Sequence, residues 1–433
     1  MNYQEALAYL KKLTKFGMNF GLDRIIELLR LLGNPHNGLK IIHIGGTNGK
    51  GSTTAMLSCI LQESGYSVGM FTSPHLHSYR ERFRVGNQLI SKAKISTILS
   101  EMQPLLKQMI DNGYEHPTEF EVSTAMALKY FNDENVDIVI LEVGLGGALD
   151  STNVIDKPLL SIITNVAMDH MDYLGNTLQE IAVVKAGIIK KGCPVITASV
   201  VPEVLAVIKK QSRTKNAPLY ILGKDFNYKT MQIGRSGSIF SVEGLKGTYL
   251  KVNIPLLGEH QGKNVAVAIT AAEILCEQGY TAINRQAIKN GLEKVVWPAR
   301  LEVFSDNPLI LLDVAHNVDG ILTLRNALEG IFPMKKVVLV IGMLADKERE
   351  KAINIIAPLA HKIFVTRPLS PRAGNWEEIK EMAEKKCDDV TLVPKIIDSV
   401  KLALNNLNND EMLVITGSFY MVSEARRWLK ENY

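Results

Sequence analysis

Residues 41–57 read "IIHIGGTNGKGSTTAML": a β-branched run, a glycine-rich turn, a lysine, three hydroxyls and an apolar helical pattern. A strand, a loop and a helix in that order can place backbone amides and a helix N-terminus around a phosphate. The usual spacing, Gly-x-x-x-x-Gly-Lys-Ser/Thr, fails at both ends. Its first glycine would fall on Ile44, and Gly51 follows the lysine, so that the hydroxyl is displaced to Ser52. A glycine-rich turn by itself could merely relieve backbone strain. Lys50, followed by Ser52, Thr53 and Thr54 at the start of a helix, favours a nucleotide instead. On that reading the amides of Thr47, Asn48, Gly49, Lys50, Gly51 and Ser52 cradle the phosphates, while the Lys50 ammonium neutralises the β and γ groups.

Outward from this unit the chain alternates β-rich runs with segments of helix length. "KIIHI", "SVGMFT", "VDIVILEVG", "LLSIITNVA" and "CPVITA" read as buried parallel strands, and their rhythm implies a doubly wound α/β sheet. Before it, "GLDRIIELLRLLGNPHNGLK" carries apolar residues at helical spacing and stops at a Gly-Asn-Pro turn. Between residues 223 and 257 short alternating runs such as "SIFSVEG" and "TYLKVNI" predict a small antiparallel addition. The α/β rhythm restarts after "VVWPARLEVF", with "LILLDV", "KVVLVIG", "KIFVT", "VTLV" and "MLVITG" as strands of a Rossmann-like C-terminal domain. The boundary is placed at Trp297, giving domains 1–296 and 297–433.

At 433 residues the chain is too long for one core, which agrees with two domains. Four scattered cysteines with no Cys-x-x-Cys pair argue against a zinc site or a disulfide framework. The net charge of +4 suits a small polyanionic substrate better than nucleic acid, because the densest basic run, "KKQSRTK", lacks interleaved aromatics and reads as a solvated helix end. The first residues mix acids and bases among apolar positions, unlike a targeting segment, and no apolar run has membrane-spanning length; the expected location is the cytoplasm, with no membrane partner.

A reaction at a γ-phosphate needs a divalent cation held by hard oxygen ligands and water. Glu142 ends a β-run and is followed by glycines that permit close approach, although an acid there could also cap a helix. His170 by itself reads as a hydrogen-bonded side chain, Ser73 as a turn residue, and Lys185 as a surface lysine lying along an amphipathic helix. Asn264 could be a helix cap, and Arg300 in "WPARLE" could bridge two domains. Asp313 and His316 follow the strand "LILLDV", where ligand-facing residues collect.

Taken together, "GGTNGKGST", "GLDRIIELL" and "ITGSFYMVSEAR" resemble the Mur-type amide ligases, specifically the folylpolyglutamate synthase and dihydrofolate synthase group, over nearly the whole chain. The shifted glycine and the Lys-Gly-Ser order are normal there. The resemblance implies ATP, two Mg²⁺ ions and a monovalent cation such as K⁺ as cofactors. It also implies metal binding by Ser73, Glu142 and His170, a carbamate on Lys185, and nucleotide contacts from Asn264, Arg300 and Asp313. The carbamate would require a neutral amine, hence a lowered pKa. "TSPHLHSYRERFRVGNQLIS" looks like the family's mobile pterin-binding segment, and Thr118, Leu149 and Asp150 like substrate contacts. Arg372 and Ser418 are candidates for the incoming glutamate, and His316 for handling its proton. Where the family commonly has Gly-Gly-Arg-Leu-Asp-Ala-Thr-Asn, this chain reads "GGALDSTN", so Ala148 offers no cation. The implied reaction joins L-glutamate to folate, or to dihydropteroate, in a monomer. A phosphotransferase or energy-coupling ATPase would explain the loop alone, and a binding protein without turnover would lack the catalytic groups.

Overall fold

Strands that read as continuous apolar runs should be covered on both faces. In the computed structural model, which describes residues 1–17, 19–405 and 407–433, the strand Ile41–Gly45 is buried at every position and lies inside an eight-stranded sheet. Its parallel neighbours are Ile138–Glu142 and Leu160–Ile163. Val68–Phe71 continues the sheet beyond the first, and Val195–Thr197 and Leu219–Ile221 beyond the second. Alternate residues serve opposite faces. Ile42, Ile44, Ile138, Ile140 and Ile162 pack with helices Lys50–Glu63 and His260–Glu277, whereas Ile41, Val139 and Leu141 pack against helices Tyr3–Leu13, Asp23–Leu31, Lys92–Asp111 and Glu119–Asp133. Each such side chain, fully buried, contributes about 1.5–3 kcal/mol.

The antiparallel addition is a three-stranded sheet, Asn227–Gly234, Gly237–Gly244 and Gly247–Ile254. Its apolar side chains Phe240, Val242, Tyr249 and Val252 join the same core as the Ala-rich helix His260–Glu277. That helix also pins the sheet through a buried carboxylate. Glu273 accepts the Leu245 and Lys246 amides at 2.7 and 3.0 Å and the Tyr249 hydroxyl at 3.1 Å.

The C-terminal sheet orders its strands as Glu302–Asp306, Leu309–Leu312, Glu411–Thr416, Lys336–Ile341, Ala360–Val365 and Val390–Leu392, all parallel except the first. The sequence reading misses three pieces: this antiparallel edge, the edge strand Leu219–Ile221, and the hairpin Phe83–Val85 with Gln88–Leu89. All are short and lie at or beside sheet edges, where partial exposure weakens the apolar signal.

Truncating Glu273 to Ala leaves three donors without their acceptor, so urea unfolding should show a loss of roughly 2 kcal/mol, the scale of an unsatisfied buried polar group.

Candidate active site

In parallel sheets, ligand-facing residues collect beyond the carboxyl ends of the strands. Both sheets present such an edge to one cavity of about 440 Å³. From the first come Lys50, Ser73, Glu142 and His170; from the second come Asp313, Lys347, Arg372 and Ser418. Every residue named above as a candidate contact lines this cavity, including Thr118, Leu149, Asp150, Lys185, Asn264, Arg300 and His316.

The loop's odd spacing has a steric origin. A Cβ at Gly46 (φ +137°) would lie 2.0 Å from Thr164 Oγ1, and one at Gly49 (φ +86°) 2.6 Å from Asn264 Oδ1. At Gly51 it would meet the Trp297 indole at 2.9 Å, so a side chain on the residue after the lysine would have to displace that ring; the hydroxyl falls to Ser52. The cradle is also smaller than expected. The Thr47 amide donates to the Asn165 carbonyl at 2.9 Å, and the Asn48 amide to Asn165 Oδ1 at 2.7 Å. The first helical bond runs from the Thr53 amide to the Gly49 carbonyl, so the amides of Gly49, Lys50, Gly51 and Ser52 are those without helical partners.

Two lysines converge on one oxygen. Lys50 Nζ donates to the carbonyls of Gly46 and Thr47, each at 3.1 Å, and Lys185 Nζ donates to Gly46 O at 3.0 Å. Lys185 is 4% exposed, which corrects its reading as a surface lysine. Burial, assisted by the Lys50 charge, lowers its pKa to about 7, the condition a carbamate requires. Burial also lowers the pKa of Lys50 and raises that of Glu142, each opposed by the charge of the other.

Glu142 is not a cap, because a loop rather than a helix follows it; its carboxylate accepts the Ser73 amide at 3.2 Å. Asn264 is not a cap either. It sits inside the helix that begins at His260, donating to Gln261 Oε1 at 2.8 Å. Asp313 accepts the amides of Leu301 and Ala315, both at 2.8 Å. Arg300 lies 5.0 Å from the Phe419 ring centroid, and burial lowers its pKa against the opposing charges of Asp313 and Glu142.

On the acceptor side, several hydroxyls and carboxylates already have partners. Thr118 caps helix Glu119–Asp133 in a reciprocal pair with Glu121. Asp150 accepts the Leu145 amide at 2.7 Å and the Thr152 amide at 3.0 Å, while Leu149 beside it is 51% exposed. Ala148 packs against Gly187, just beyond the helix that carries Lys185, and its amide donates to Val184 O at 2.9 Å. The segment that resembles the family's pterin-binding stretch forms a 3₁₀ turn, Tyr79–Arg82, and the edge hairpin; Arg82 donates to Glu119 at 3.2 Å. Toward the other end of the cavity, Arg372 pairs with Asp346, and Ser418 caps the final helix Phe419–Asn432.

Several site residues escaped the sequence reading. Asp169 accepts from Lys347 Nζ at 2.5 Å and from Asn317 Nδ2 at 3.0 Å, with His316 Nε2 3.7 Å away. Burial disfavours the Asp169 carboxylate, yet His316, His170 and Lys347 outweigh it and hold its pKa below the usual range. His260 also faces the cavity, and burial lowers its pKa to about 4. Lys347 follows the strand Lys336–Ile341, a position at the carboxyl edge that was legible; Asp169 stood beside His170 without a pattern of its own.

Among the described residues no three His, Cys, Asp or Glu side chains are grouped as a ready-made metal cage. The donors do suit a Mg²⁺ ion that keeps waters and binds phosphate oxygens. Glu142 is a buried carboxylate beside the phosphate loop, and His170 Nδ1 is buried without a hydrogen-bond partner, while burial lowers its ring's pKa to about 4 and so keeps it neutral.

Two family descriptions match the chain: Mur ligase middle domain over residues 44–272, and Mur ligase, glutamate ligase domain over residues 299–419. The dihydrofolate synthase/folylpolyglutamate synthase of Bacillus subtilis (strain 168) is 37% identical over 432 residues, covering 99% of each chain. Among solved structures, Mycobacterium tuberculosis folylpolyglutamate synthase complexed with ADP superposes with a TM-score of 0.91 at 30% identity, covering 99% of each chain. An FPGS–AMPPCP–folate complex superposes with a TM-score of 0.83 at 33% identity, covering 99% of this chain and 100% of that one.

Lys185 should lose its proton as pH rises through about 7, being mostly ammonium at pH 6 and mostly free amine at pH 8. Isotope-labelled reductive methylation followed by NMR titration reads this directly, and Lys50→Met should move the midpoint upward because it removes the second cause of the depression.

Proposed function

The chain belongs to the Mur-type amide ligases, in the folylpolyglutamate synthase and dihydrofolate synthase group, and from that premise we propose that it uses ATP to join L-glutamate to a folate, and also to dihydropteroate. The observation that carries this reading is the single cavity between two carboxyl-end sheet edges, with Lys50, Lys185 and Glu142 on one side and Asp313, Lys347 and His316 on the other. A site enclosed between two domains shields an activated acid from water. The domain boundary is proposed at Trp297, whose indole covers the phosphate-loop helix.

The acceptor's carboxylate attacks the γ-phosphorus of ATP, forming an acyl phosphate and releasing ADP. Lys50 and the amides of Lys50, Gly51 and Ser52 hold the phosphates in line, and positioning with charge stabilisation supplies most of the rate. Asn264, beside Gly49, and Arg300 and Asp313, from the C-terminal domain, would contact the nucleotide. Ser73, Glu142 and His170 would hold Mg²⁺, with a carbamate on Lys185 serving a second ion. Bound there, the metal offsets charge on the transferring phosphoryl group; K⁺ is proposed as a further cofactor.

The glutamate amine then attacks the acyl carbon, and phosphate leaves from the tetrahedral intermediate. Arg372, Lys347 and Ser418, which line the cavity, would receive glutamate's carboxylates. His316 Nδ1 is engaged by the Val314 carbonyl at 2.9 Å, which leaves Nε2 to accept the amine's proton. No helix among the described residues is long and apolar enough to cross a membrane. A cytoplasmic monomer acting on small molecules is proposed.

Incubation with ATP, Mg²⁺, L-glutamate and either tetrahydrofolate or dihydropteroate should yield amide product, and ¹⁸O in the acceptor carboxylate should appear in released phosphate; ATP cleavage without either result refutes the ligase. Lys50→Ala should reduce amide synthesis by at least about 100-fold, on the scale of losing a transition-state charge contact, with an unchanged circular dichroism spectrum. Glu142→Ala should abolish the Mg²⁺-dependent rate, measured by titrating Mg²⁺ against product formation.

A further inference from the structure

Helix Val318–Ile331 starts where the C-terminal sheet meets the phosphate loop. Asn317 caps it, its Oδ1 accepting the Gly320 amide at 2.8 Å. Within the first turn, Asp319 Oδ2 accepts from Asn48 Nδ2 at 2.7 Å and from Asn165 Nδ2 at 3.2 Å. The two asparagines are themselves linked, because Asn165 Oδ1 takes the Asn48 main-chain amide at 2.7 Å. Asn165 also holds the Thr47 amide through its carbonyl.

A side-chain amide has a donor end and an acceptor end. A carboxylate fixed on Nδ2 of Asn165 therefore turns its Oδ1 toward the loop, where it holds the Asn48 amide. Asp319 Oδ2 also holds the Asn48 side chain, which exchanges hydrogen bonds with Asn317 at 3.2 Å in both directions. Asn48 lines the cavity, whereas Asp319 and Asn165 stand behind it. A carboxylate so near a phosphate site would repel the ligand if its role were electrostatic. Its two hydrogen bonds go to the side chains of Asn48 and Asn165, so what it gives the loop is their orientation.

We infer that Asp319 is a positioning residue for phosphoryl transfer: from the C-terminal sheet it locks Asn165 and Asn48, and so sets the phosphate loop in its working shape only while the two sheets are together. This rests on the ligase reading above. It adds a residue that touches no reactant and a reason why nucleotide bound to the first sheet alone would turn over poorly.

The test compares Asp319→Ala, Asp319→Leu and Asp319→Asn with the wild type, using ATP, Mg²⁺, L-glutamate and tetrahydrofolate. Because loop misplacement of about 1 Å can cost up to about 100-fold, kcat should fall roughly 10- to 100-fold in the Ala and Leu variants. Asn retains one acceptor oxygen in place, so Asp319→Asn should restore most of the rate, and KM for ATP should change less than kcat throughout. Asn48→Ala should cause a similar loss, and the Asn48→Ala/Asp319→Ala double variant should lose little more than either single one, since both break the same link. Unchanged kcat in a folded Ala or Leu variant, or single losses that multiply in the double variant, would overturn the inference while leaving the ligase reading intact. A wild-type protein that forms no amide would overturn both.

Discussion

The site is organised by two lysine side chains that share the carbonyl oxygen of Gly46. Two ammonium groups at one buried oxygen repel each other, and burial penalises both. The protein answers with carboxylates nearby: Glu142, Asp150 and Asp169 oppose the fall in the pKa of Lys50, and Asp150 and Asp169 that of Lys185. In the proposed reaction the two lysines would divide the work, Lys50 facing the phosphates and Lys185 carrying the carbamate.

Sharing that oxygen requires the loop to run very close to its surroundings. Thr164, Asn264 and Trp297 each occupy the volume that a side chain on one of the three loop glycines would need. Two of these neighbours come from beyond residue 260, so the loop's glycine pattern is imposed by residues distant in sequence. The glycine that displaces the hydroxyl, and makes the motif look damaged, lies directly under an indole packed on the first helical turn.

Closure of the cavity likewise depends on groups from the two sheets completing one another. Asp169 lies after a strand of the first sheet and is held by Lys347 and Asn317 from the second; Asn48 is held by Asn317 and Asp319. These partners are more than a hundred residues apart in the chain. Water exclusion and alignment of the reactants thus depend on how the two sheets meet.

The sequence by itself determined the two α/β rhythms, the small antiparallel sheet and the strand ends at which Lys50, Glu142 and Asp313 sit, because apolar periodicity and glycine position are local properties of the chain. Its family resemblance also collected the residues that line the cavity. Short strands near the sheet edges escaped it, since partial exposure blurs their pattern. The tertiary structure alone decided that Lys185 is buried rather than exposed, that Asn165 takes the first two loop amides, and that Asp169 is paired with Lys347 and Asp319 with Asn48 and Asn165. Those outcomes depend on desolvation and on hydrogen bonds between distant segments, which no local pattern encodes.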